Sequence, residues 1–154
     1  CSQAVEEALR REYHYAFHED KYPGIPQLNI IPIENKPFEL SGKIPVMPIE
    51  VMHYFMPVLG FRLGDFAYIT DAKTVEAVEI EKLKGLKVLV VNALREEPHH
   101  SHFNLQEALD FIHLVKPERA YLTHISHLLG FHEEVQKKLP PNVFLAYDNL
   151  KITI

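Results

Sequence analysis

The chain has 154 residues, one domain's length and enough to bury a real core. Its hydrophobic (47%) and charged (24%) contents are those of a soluble globular protein. A net charge of -5 argues against a general nucleic-acid or anionic-membrane binder, because phosphate affinity needs a basic surface. The only cysteine, Cys1, rules out an intrachain disulfide and a thiolate zinc site, and it fits a reducing cytoplasm. No apolar stretch reaches the ~20 residues of a membrane span. The first residues are acidic and helical in pattern, unlike a signal peptide. The chain opens on Cys, directly into a helix, which points to a fragment or a processed product. Seven of its ten histidines lie between His99 and His132, so the excess is local.

Ser2 can cap a helix over 4–17, with Val5, Ala8, Leu9, Tyr13 and Phe17 on one face. Lys21-Tyr-Pro-Gly24 is a turn signal. Short strands are expected at 28–33, 37–40 and 44–52, with a hairpin turn at Ser41-Gly42. A second hairpin joins 59–63 to 66–70 at Gly64-Asp65, and a mostly helical stretch covers 75–84. Leu86 to Val91 is a continuous apolar run, the mark of a buried central strand. After a histidine-rich loop at 98–103, Asn104 can cap a helix over 105–115 that Lys116-Pro117 stops. A strand at 119–123, a short helix at 131–139 and a hairpin of 143–147 with 150–154, turning at Asp148-Asn149, complete the chain. The fold class is therefore α/β or α+β, with helices layered on a mixed sheet.

Four residues fall just after expected strands: His53, Asp71, His102 (beyond a loop) and His124. Side chains delivered to one sheet edge are how a scaffold builds a site. His53 fits either a backbone-bonded imidazole or a ligand for zinc, manganese or iron. Asp71 fits either a helix N-cap or a carboxylate bridging two ions ~3.5–4 Å apart. In Pro98-His-His-Ser-His102, one functional member is expected, His102, as general acid or phosphate contact. His99 supports the loop and His100 faces solvent. His127, three residues after His124, suits a partner that orients a ligand or substrate. Arg95 fits either a contact to an anionic substrate or a surface pair with Glu96 or Glu97. His14, His18, His113 and His132 lie in helical patterns, as surface or core-edge residues. There is no dinucleotide fingerprint, P-loop or Gly-x-Ser-x-Gly elbow.

Val51-Met-His53, Tyr68-Ile-Thr-Asp71, Asn92-Ala-Leu-Arg95 with Pro98-His-His-Ser-His102, and Leu122-Thr-His-Ile-Ser-His127 together resemble the metallo-β-lactamase-fold hydrolases. The branch they resemble is the phosphoribosyl 1,2-cyclic phosphate phosphodiesterase-like group, related to tRNA 3′-processing endonucleases. His18 to Gly24 and Ala146 to Leu150 look like that branch too. The resemblance implies His53 and His124 as ligands of one metal each and Asp71 as the bridge. It implies His102 as the histidine that protonates the leaving oxygen, with His127 supporting the ligands from behind.

The family's His-x-His-x-Asp-His string is absent. Three ligands shared by two ions leave each short of about four. The expectation is one partial αββα sandwich over 1–154: a connecting helix and hairpin region (1–45) and a C-terminal αβ half (46–154). The parent protein would be a phosphodiesterase using two divalent ions, zinc or manganese or else iron, on a small phosphate ester. This chain alone would bind few or no ions and be inactive. The alternatives are a structural, oligomerising piece or a tRNA 3′-processing-like endonuclease, which the acidic balance disfavours. The inner sheet face should be open, awaiting a missing N-terminal segment or a second copy.

Overall fold

The computed structural model describes residues 1–18 and 23–154. It divides into two compact units, Cys1–Lys36 and Pro37–Ile154. The break falls ahead of the residue-45 boundary read from the sequence. The reason is pairing: Phe38 lies opposite Val46, which ties the first short strand to the second unit.

In the first unit, α1 (Gln3–Glu12) begins at Ser2, whose hydroxyl accepts from the Val5 N–H at 3.4 Å. Glu6 in the first turn and Arg10 and Arg11 in the last suit the helix dipole. The expected helix to 17 gives way to a 3-10 turn at His14–Ala16. No residue of α1 is buried, so the anticipated apolar face is not packed away. The strand expected at 28–33 does not form. Pro32 lacks the N–H a ladder needs, and the segment is tied instead to Cys1, through Ile33 N to Cys1 O at 2.8 Å. The turn expected at Lys21–Gly24 begins outside the described residues.

The second unit is a seven-stranded sheet in sequential order. Its strands are β1 (Phe38–Leu40), β2 (Ile44–His53), β3 (Met56–Leu63), β4 (Phe66–Ile69), β5 (Val88–Asn92), β6 (Arg119–Thr123) and β7 (Val143–Leu145). The first four pair antiparallel; β4 through β7 pair parallel. Since β2 and β4 both run against β3, the C-terminal ends of β2, β4, β5 and β6 share one edge. That edge is where open α/β sheets present ligand sites.

Helices α2 (Ala77–Glu81) and α3 (Leu105–Val115) make the two crossovers into β5 and β6; α4 (His132–Gln136) leads into β7. α3 has the bounds its caps predict. Asn104 and Glu107 form a reciprocal capping box, and Lys116 ends the helix in a left-handed conformation before Pro117. Its Leu105, Ala108, Phe111, Ile112 and Val115 pack on Ile49, Val51, Ile69, Leu89, Val91 and Leu122 of one sheet face.

The other face was expected to be open. Its central stripe, Val88, Val90 and Tyr121, is buried, with Phe66, Phe144, Leu150 and Ile152 packed against it. Residues 150–154 therefore do not form the anticipated second hairpin strand. They turn at 147–150, through Leu150 N to Tyr147 O at 3.1 Å, and lie against the sheet, with Arg119 donating to Thr153 O. Among the described residues, no helix is long and apolar enough to cross a membrane.

Candidate metal centre

Four backbone ties, each one residue from a candidate side chain, assemble the site. Met52, beside His53, pairs with the loop after β4: Met52 N donates to Thr74 O at 2.9 Å and Lys73 N to Met52 O at 2.8 Å. Ala72, beside Asp71, is fully buried and is the central node. Its N–H donates to Asn92 Oδ1 at 2.8 Å, and its carbonyl accepts from Asn92 Nδ2 at 3.0 Å. The same carbonyl accepts from the N–H of Phe103, beside His102, at 2.7 Å. Thr123, beside His124, accepts from Ala93 N at 2.9 Å. Segments far apart in sequence are thereby held at fixed offsets.

Asp71 (φ 58°) and His124 (φ 55°) both sit in the left-handed region. Each such non-glycine residue costs on the order of 1–3 kcal/mol and persists only where its surroundings over-determine it. The conformation turns the chain off the strand axis as β4 and β6 end. Asp71 caps no helix: α2 starts at Ala77 with Glu76 before it.

The side chains converge. His53 Nε2 and His102 Nε2 are 3.4 Å apart. Asp71 Oδ1 lies 3.8 Å from both His102 Nδ1 and His124 Nδ1. The His102 and His124 rings are 4.6 Å apart between centroids. His99 stacks on His102 at 5.0 Å, while its Nδ1 faces the Ser101 N–H and hydroxyl at 3.4 and 3.3 Å. Thr70 Oγ1 stands 3.3 Å from His124 Nδ1.

His102 is buried, and its Nδ1 has no hydrogen-bond partner among the described residues. Burial first, then the neighbouring His124 and His53, push its imidazole below the usual histidine range; Asp71 pulls the other way. His99 is lowered as well, by desolvation and then by Arg95 and His100. Both shifts favour neutral rings, the form in which imidazole binds a metal.

The donor set fits a divalent ion. His53, Asp71 and His102 each offer a ligand atom, all within 4.8 Å of one another. Two nitrogens bound tetrahedrally to one ion at ~2.0–2.1 Å lie about 3.4 Å apart, as the His53 and His102 nitrogens do. A buried ring nitrogen without a partner and a carboxylate too distant for hydrogen bonds leave room between them for a cation.

Some expected neighbours stand elsewhere. Arg95 does not pair with Glu96 or Glu97 among the described residues: it donates to the carbonyls of Glu97 and Pro98, at 3.3 and 2.9 Å, and so braces the histidine loop. His100 is exposed, as expected. His127 begins an exposed 3-10 turn and has no hydrogen bond or ring contact with the cluster among the described residues. Two contributors escaped the sequence reading. Asn92 had a signal, a lone polar residue in an otherwise apolar strand. Thr70 had none.

Known proteins resemble this chain in fold and sequence. A diphosphatase of the PhnP family is 31% identical in sequence, with a TM-score of 0.89 over all of this chain and 57% of that one. The short form of human tRNase Z has a TM-score of 0.66 over 99% of this chain and 66% of its own, at 17% identity, a likeness of fold alone. A protein of Porphyromonas gingivalis named octanoyltransferase is 35% identical over the whole of this chain but only 32% of its own length. The chain thus spans about a third of that relative and just over half of the diphosphatase. The beta-lactamase superfamily domain matches residues 1–125, most of the chain. By that match, and by a mixed sheet that brings three histidines and an aspartate to one edge, the chain belongs to the metallo-β-lactamase-fold hydrolases.

Proposed function

We propose that the protein to which this chain contributes is a divalent-metal-dependent phosphoester hydrolase acting on a small phosphodiester or cyclic phosphate. The convergence of His53, Asp71, His102 and His124 at one strand edge carries this reading. The 31% identical neighbour described as a diphosphatase supports phosphate chemistry. The name of the Porphyromonas gingivalis relative does not carry over, because the match takes in 32% of that protein.

In this reading His53, Asp71 and His124 would hold the divalent ions, zinc, manganese or iron. Bound there, such ions supply a nucleophilic water at neutral pH and polarise a phosphoryl oxygen. Three side chains fall short of two full ligand sets, so the ions would need further ligands. In this reading His102 delivers a proton to the leaving oxygen. His99, stacked on the ring, holds its orientation.

One observation favours a second assignment. The trio that closes on a single point is His53, Asp71 and His102, which makes His102 itself a ligand. His102→Ala in the parent enzyme separates the two. As general acid, its loss lowers turnover by about 10²–10⁴-fold at unchanged metal content. Loss of metal together with turnover assigns His102 as a ligand. Unchanged turnover removes both roles.

A further inference from the structure

Lys73 follows Asp71 by two residues, and Asn104 follows His102 by two. The two segments meet at the backbone bond from Phe103 N to Ala72 O, at 2.7 Å. A second tie lies one residue further along each. The Lys73 ammonium sits against both oxygens of Glu107, 2.6 Å from Oε1 and 2.9 Å from Oε2. Glu107 Oε2 also accepts from the Asn104 N–H at 2.9 Å. The Lys73 N–H meanwhile donates to Met52 O, beside His53, at 2.8 Å. One residue thus joins the segments that carry His53, Asp71 and His102.

The helix does not need this lysine. The capping box of α3 is complete within 104–107: Glu107 N donates to Asn104 Oδ1 at 2.8 Å, and the glutamate carboxylate returns the bond. Nor does stability ask much of it. Both side chains are half-buried, at 21% and 38% exposure, and ion pairs so placed add little. What the pair adds is geometric. A lone hydrogen bond is a hinge about which two segments rock; a second, offset by one residue, removes that freedom. His102 depends on such a frame. Its Nδ1 has no hydrogen-bond partner among the described residues. The ring is therefore aimed by its backbone and by the neighbouring rings of His53, His99 and His124, at 4.7, 5.0 and 4.6 Å.

We propose that Lys73 and Glu107 are positioning residues, an ion pair that sets the angle at which the His102 ring meets the Asp71 carboxylate in the metal centre. The proposal rests on the hydrolase reading for what that centre does, and on these contacts for how it is held. Groups that orient metal-site side chains without touching the ion change affinity or activity by about 10–100-fold. This pair acts through backbone, one step further out, so the low end, about 10-fold, is expected.

The test compares the full chain with variants at both ends of the pair. Lys73→Met and Glu107→Gln each break it and keep the α3 cap, since glutamine serves a capping box as glutamate does. A double variant combines them, and Lys73→Arg restores the pair. Carbon–proton spectra of the histidine rings, without metal at about pH 8, report orientation, because the rings around His102 shift its signals. Each single variant should move the His102 ring signals and weaken cobalt(II) binding, followed by visible absorption, about 10-fold. Its Tm should stay within about 5 °C of wild type. The double variant should match the singles, because both remove one interaction, and Lys73→Arg should match wild type. His102 ring signals that stay in place, or cobalt bound as tightly as by wild type, overturn the proposal. So do effects that add in the double variant. A fall in Tm with unmoved ring signals assigns the pair a purely structural role and overturns it too. His102 signals that move in a chain whose His53 and His102 rings ignore excess cobalt uphold the positioning and sink the hydrolase reading instead.

Discussion

Asn92 offers the sharpest test of how the site is held together. Its side chain is fully buried and brackets one residue, Ala72, accepting from the N–H and donating to the carbonyl. The carbonyl keeps a second partner in Phe103 N; the N–H has none to fall back on among the described residues. In Asn92→Ala the Ala72 N–H is stranded in the core. Stranding a buried donor costs about 1–3 kcal/mol, and the lost bond to the carbonyl adds about 1. The sum, roughly 2–4 kcal/mol, corresponds to a fall in Tm of roughly 6–20 °C for the larger unit, at about 3–5 °C per kcal/mol.

Asn92→Asp is the more telling variant, because it keeps the shape. One carboxylate oxygen still accepts from Ala72 N, but the other meets the Ala72 carbonyl oxygen where an N–H stood at 3.0 Å. Protonation turns that oxygen into a donor and restores the bond. The folded-state pKa of the new carboxyl is thus raised above its unfolded value of ~3.9. A raised folded pKa means stability that is present below the unfolded pKa and lost as pH rises through the folded one. The deficit of Asn92→Asp relative to wild type should therefore be largest near pH 7 and shrink towards pH 4. Thermal melts by circular dichroism at several pH values measure it, with manganese titration as a second readout through Asp71. A Tm for Asn92→Ala within about 1 °C of wild type, or an Asn92→Asp deficit that ignores pH, would refute the role of Ala72 as the node.

Two further outcomes follow from packing and capping. Gly60→Ala should destabilise by about 1–3 kcal/mol, because the added Cβ would meet Ile69 Cγ1 at 2.9 Å and Tyr68 O at 3.0 Å across the β3–β4 pair; chemical denaturation checks it. Asn104→Ala should cost about 0.5–2 kcal/mol through loss of the α3 cap, whereas Asn104→Ser should recover most of it; equal melts for the two would discount the cap.

Local features of this protein were legible in the amino-acid order. The bounds of α3 follow from Asn104, Glu107 and Lys116-Pro117, signals read within a turn of chain. The strand ends carrying His53, Asp71 and His124 follow from apolar runs that stop at a polar residue, and β5 from an unbroken run. The family followed from the order of those short motifs. The Tyr54-Phe55 turn was hidden because neither residue is a turn former; cross-strand pairing of β2 with β3 imposes it. The tail at 150–154 alternates like a strand, yet it packs against the sheet as a cover instead of pairing. The sequence offered Arg95 a surface pair with Glu96 or Glu97, but the fold turns it onto the Glu97 and Pro98 carbonyls.

Which histidines would meet was decided by tertiary structure alone. Asp71 finds His102 because Ala72, between Asn92 and Phe103, binds segments twenty or more residues away. Caps and periodicity act along the chain and can be read there. A node made of backbone hydrogen bonds between distant segments leaves its mark in sequence only as one polar residue inside an apolar strand.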